Sequence, residues 1–119
     1  MNGHYQQDSN DYVAEVLKLY LELPETPRKV GLNDKITAAG LYESSIQMNT
    51  VESAFLLASI RRLGRSSDLP PLSPIRSLAY FLPVIQELLS NPISDEYLKY
   101  LRMKVCSLRG RNGITAKCG

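Results

Sequence analysis

Apolar residues along the chain recur every three or four positions, in blocks set off by proline-containing stretches. In the first block Val13, Val16, Leu17, Tyr20 and Leu23 keep this spacing, which puts them on one stripe of a helix and predicts that helix from about Asp11 to Leu23. Asp8, Ser9 and Asn10 offer side-chain oxygens that can accept an orphan backbone N–H at its start. Pro24 and Pro27 stop it, because proline has no N–H to continue the ladder. The segment PETPRKVGLN reads as a loop. Asn33 and Asp34 open a second helix that ends near Ser45, with Ile36, Ala38, Leu41 and Tyr42 inward.

The stretch VESAFLLASIRRLGR, residues 51–65, carries one apolar face of Val51, Ala54, Phe55 and Ala58 and another of Leu56, Ile60 and Leu63. A helix apolar all round is normally buried, so its body is predicted to be core, with Thr50 as its cap and Gly64 in a left-handed position at its end. SSDLPPLS is a proline-restricted connector. Ser73 followed by Pro74 signals the start of a fourth helix, SPIRSLAYFLPVIQELLSN, kinked or split at Pro83 because a mid-helix proline removes a hydrogen bond and clashes with the preceding turn. Ser94 and Asp95 cap a fifth helix to about Leu108, with Leu98, Leu101, Val105 and Leu108 inward. No segment alternates with period two long enough for a strand. The expectation is an all-α compact bundle of about five helices spanning residues 11–109, with flexible ends at 1–10 and 110–119.

At 119 residues with 44% hydrophobic composition the chain can build one core without staples. Its net charge of +2 conceals a polarity. Residues 1–60 hold four basic against eight acidic side chains, and residues 61–119 hold ten basic against four acidic. The second half therefore suits an acidic partner. Cys106 and Cys118 lack C-x-x-C spacing, so neither a disulfide framework nor a zinc site is suggested, and a reducing, cytoplasmic setting fits. MNGHYQQDSN lacks a basic region leading into an apolar one, which argues against a secretory signal, and no run has the length of a membrane span.

The basic residues are the candidate chemistry. Lys99, Arg102 and Arg109 share the face of the fifth helix opposite its apolar stripe, Lys104 adds charge nearby, and Tyr97 and Tyr100 lend rings for stacking. Arg61, Arg62 and Arg65 close the third helix, where cations also complement the helix dipole, and Arg76 follows in the fourth. Such a surface can track phosphates or dock on an acidic protein. Pro71, Pro74 and Arg76 match P-x-x-P-x-R, but the helix start and the loop already account for both prolines. Catalysis has little to stand on: His4 is the only histidine, and no phosphate-binding loop or metal-ligand spacing occurs.

Two resemblances bear on this reading. The helices DKITAAGLYESS and TVESAFLLASIRRL, over about residues 34–63, resemble the helix-turn-helix of small DNA-binding trihelical units, with Ser44 and Ser45 standing where that turn often has glycine. VESAFLLASIRRL followed by LPPLSPIRSLAYFLPVIQELL, within about residues 20–105, resembles small uncharacterised bacterial proteins associated with replication or mobile-element genes. Both resemblances imply nucleic acid. The sequence thus suggests a non-catalytic, nucleic-acid-associated accessory protein needing no cofactor, its phosphate contacts made by Arg61, Arg62, Arg65, Arg76, Lys99, Arg102, Lys104 and Arg109. The competing reading is a protein–protein adaptor or homo-oligomer subunit that docks the basic helix on an acidic partner.

Overall fold

Each apolar block folds as a helix in the computed structural model, which describes residues 2–65 and 68–111, with side chains over 8–65 and 68–108. In order these are α1 (Asn2–Glu22), α2 (Leu32–Glu43), α3 (Met48–Leu63), a 3-10 turn (Leu78–Phe81), α4 (Leu82–Ser90) and α5 (Asp95–Arg111). The protein is all-α, with no strand among the described residues. Residues 112–119, most of the expected C-terminal tail, lie outside the described residues, as does the side chain of Arg109.

α3 is central because both of its apolar faces find partners. On one side Val51, Ala54, Phe55 and Ala58 join Val16 and Tyr20 of α1, Ala38 and Leu41 of α2, Leu78 and Phe81 of the 3-10 turn, and Ile85 and Leu88 of α4. An aromatic trio fills the middle: the Tyr20, Phe55 and Phe81 rings lie 4.8–6.4 Å apart, tilted or edge-on as their quadrupoles favour. On the other side Leu56 packs with Leu98, Leu101 and Val105 of α5. All four residues expected on the inner stripe of α5 are buried.

Several helix ends depart from expectation. α1 starts at Asn2 rather than near Asp11, so Asp8–Asn10 lie inside it and cap nothing. Once apolar turns supply the nucleus, each further residue adds a hydrogen bond, so a polar segment can prolong a helix. In α2 the buried residues are Asp34, Ala38 and Leu41, at spacings of four and three, which turns Ile36 outward to 60% exposure against the expectation that it is core. α2 ends with Ser45 at φ 59° in the left-handed region, where Ile46 N–H bonds to Leu41 C=O and Ser45 N–H to Tyr42 C=O. This is the pair of bonds that a C-terminal glycine usually makes, and Ser45 fills its place. Gly64, expected to be left-handed, has φ −87° and closes α3 by bonding its N–H to Ile60 C=O. A side chain is disfavoured there on other grounds, since a Cβ would come 3.0 Å from that carbonyl oxygen, and the backbone would have to give by a few tenths of an ångström.

The fourth block is split where Pro83 predicts, the 3-10 turn giving way to α4 at Leu82 with Pro83 in the first helical turn. Pro74, however, starts no helix. The Ser73 carbonyl, which would receive the first helical hydrogen bonds, instead accepts Arg62 Nη2 at 2.9 Å. The Leu78 N–H, which would bond back to Pro74, donates to Asp34 Oδ1 at 2.9 Å. Tertiary partners thus take both groups a helical turn needs.

Candidate functional site

The arginines flagged as phosphate contacts are largely engaged within the chain. Arg62 is buried, with its side chain 6% exposed, and donates Nε to Glu25 at 2.7 Å, Nη1 to the Tyr80 hydroxyl at 3.2 Å and Nη2 to the Ser73 carbonyl. Its guanidinium also stands 5.4 Å from the Tyr80 ring centroid. Burial opposes its charge, but the bonds to Tyr80 and Glu25 outweigh that and hold its pKa above the ordinary arginine value. Glu25 reaches this position with φ 69°, a left-handed conformation costly for a residue with a side chain. Arg62 therefore ties α3 to the α1–α2 loop and to the segment before the 3-10 turn. It is a structural node rather than a surface cation.

Arg61 makes a two-pronged bond to Glu87 of α4 at 2.9 and 2.6 Å, and Arg102 makes one to Glu52 of α3 at 2.8 Å on both prongs. These pairs are half exposed, at 51% and 49% for the arginines. The Arg61 bond lowers the pKa of the Glu87 carboxyl, and the Glu87 bond raises that of Arg61, with the Tyr97 phenol adding to the rise. Arg65 donates to the Pro70 carbonyl at 2.9 Å. Arg76 and Lys99 are exposed and Lys104 is half-buried; none of the three makes an ion pair among the described residues. The side chain of Arg109 lies outside them.

α3 cannot serve as the recognition element of a helix-turn-helix. Between Thr50 and Ile60 it has no exposed residue, since α1, α4 and α5 enclose it, and a groove-reading helix needs a free polar face. α2 packs on α1 and the 3-10 turn instead of forming a pair with α3.

What remains is the outer face of α5. Its inner face rests on α3, and its outer face presents Tyr97, Tyr100 and Met103 at 43%, 51% and 72% exposure. The two tyrosine rings stack on each other, with centroids 5.6 Å apart and planes 24° from parallel. Lys99 and Lys104 lie within the same two turns, and Arg102 stands one turn beyond Lys99. Cys106 follows on this helix and is disulfide-bonded, although the cysteine spacing suggested no disulfide framework; Cys118 lies outside the described residues. No group of three or more His, Cys, Asp or Glu side chains able to hold a metal occurs among the described residues, nor does any helix long and apolar enough to cross a membrane. Comparison of the chain with protein-family models, curated proteins and solved structures finds no match.

Sequence reasoning located the cations and the two tyrosines but missed their partners. Glu25, Glu52, Ser73, Tyr80 and Glu87 stand 11–50 residues from the arginines they hold, and no local pattern marks these pairings.

Proposed function

We propose that the protein is a non-catalytic, nucleic-acid-associated accessory protein that takes up single strands along the outer face of α5. The observation that carries this reading is the exposed, mutually stacked pair Tyr97–Tyr100, with Lys104 on the same side of α5 and exposed Lys99 between the two in sequence. Aromatic faces beside cations are the chemistry of single-strand binding: bases stack for about 1–3 kcal/mol each and lysines neutralise phosphates, with no reading of base edges. Arg61, Arg62 and Arg102 leave the phosphate-contact set, because chain groups already take their donors. Lys99 and Lys104 on α5 are its members, while exposed Arg65 and Arg76 lie off that helix.

The test is titration of a labelled single strand followed by fluorescence anisotropy. Tyr97→Ala with Tyr100→Ala should abolish most of the binding at low salt. Lys99→Gln with Lys104→Gln should reduce the slope of log K against log salt by about 1.4, or about 0.7 for each phosphate no longer neutralised. Absence of saturable binding at low salt would overturn the reading. Met103, exposed beside Tyr100, favours a second one, in which the same face docks on an acidic protein and nucleic acid does not bind.

A further inference from the structure

The outer face of α2 is as exposed as that of α5 and belongs to no part of the nucleic-acid reading. At 100° per residue Leu32, Ile36, Ala39, Gly40 and Glu43 lie along the side opposite buried Asp34, Ala38 and Leu41. Leu32 is 72% and Ile36 60% exposed, which is unusual for adjacent turns of one short helix whose other side is core. Gly40, one turn after Ile36, leaves open space: a Cβ built there meets nothing within 4 Å. The face thus carries two apolar knobs in its first half and a notch in its second.

The ends of the face differ too. Arg28, Lys29 and Lys35 are exposed around its start. Glu43 is exposed at its end, beside the turns of α1 that bear Asp8 and Glu15, since Tyr12 between them packs edge-on against Tyr42 and bonds its hydroxyl to Ile46 C=O at 2.6 Å. At that end an open cleft of about 360 Å³ is lined by Tyr12, Tyr42, Glu43, Ser45 and Ile46.

We propose that this face is a self-association surface, on which a second copy of the chain docks α2 antiparallel to α2. A two-fold axis near residue 38 sets Ile36 of each copy over Gly40 of the other and Leu32 against the other's cleft, since equal steps of 1.5 Å per residue run in opposite directions from the axis. The same operation places Lys35 near Glu43 of the other copy, twice. Neither residue makes an ion pair among the described residues. Knob meets notch and basic end meets acidic end under one symmetry operation, whereas a parallel arrangement would oppose like charges.

One short helix on each side buries an area at the lower end for specific interfaces, so the dimer is a weak one, measured between about 10 µM and 1 mM. Sedimentation velocity on the full chain should show concentration-dependent dimerisation. Ile36→Glu and Gly40→Leu should each weaken it at least about tenfold with the fold unchanged by circular dichroism, because both positions are exposed and a Cβ at 40 meets nothing within 4 Å in the monomer. Lys35→Glu and Glu43→Lys should each weaken it, and mixing the two variants should restore dimer as the mixed species. A monomer at the highest concentration would overturn the proposal, and so would a dimer that ignores Ile36→Glu, or single charge variants that associate no better when mixed. Loss of strand binding by the α5 variants leaves all of these results unchanged, so the two proposals fail separately.

Discussion

Arg61 and Arg62 are neighbours in sequence, yet the structure gives them opposite roles, and substituting each by methionine tests the difference. Methionine keeps much of the aliphatic stem, so the change reports mainly on the guanidinium. Arg62→Met removes the bonds to Glu25, Tyr80 and Ser73, together with the ring contact at 5.4 Å. Hydrogen bonds to a charged group contribute about 1.5–3 kcal/mol each, but burying the guanidinium costs several kcal/mol, and that cost disappears with it. The groups left behind recover water, since the Glu25 side chain is 40% and Tyr80 42% exposed. The net loss should be about 2–3 kcal/mol. With a urea slope of about 1.5 kcal/mol per molar, the unfolding midpoint by circular dichroism should fall by about 1–2 M. Arg102→Met, which breaks a half-exposed pair, should cost about 0.5–1 kcal/mol, and Arg61→Met should leave the midpoint nearly in place. Arg62→Met within about 0.5 kcal/mol of Arg102→Met would refute the assignment of Arg62 as a structural node.

Three further substitutions probe the interior and the turns. Phe55→Ala, at a fully buried site in the aromatic trio, should cost about 3–5 kcal/mol in the same urea assay, and a loss under about 1 kcal/mol would remove α3 from the centre of the fold. The buried Tyr20 hydroxyl has no hydrogen-bond partner among the described residues, so Tyr20→Phe should be neutral or stabilising at pH 7. Burial, with the nearby Asp34 charge, pushes the Tyr20 pKa to about 12, above its ordinary value of 10.0. Its contribution is therefore complete below pH 10 and lost between about pH 10 and 12, where the wild type should fall about 2–3 kcal/mol further than Tyr20→Phe; parallel pH profiles would contradict this. Ser45→Gly should stabilise by about 0.5–1 kcal/mol, because only the side chain opposes φ 59°, and any loss on thermal melting would show that the hydroxyl matters there.

By itself the sequence determined the number and kind of elements and the two-sided burial of α3. It also placed the inner stripe of α5 and the break at Pro83. These follow from spacing and from proline's missing N–H, properties that act within a turn or two of the chain. The tertiary structure decided the rest. Ile36 turned outward, and Asp34, read only as a helix-start residue, turned inward, because the side of α2 that meets α1 and the 3-10 turn is set by packing, and the Asp34 carboxylate, placed there, bonds a backbone N–H 44 residues away. Pro74 failed to start a helix because Arg62 and Asp34 took the backbone groups that helix required. The arginines carry the same lesson: a cation's position in sequence tells that it is charged, but only the fold brings Glu25, Glu52 or Glu87 within bonding distance and so decides which charges remain for a partner.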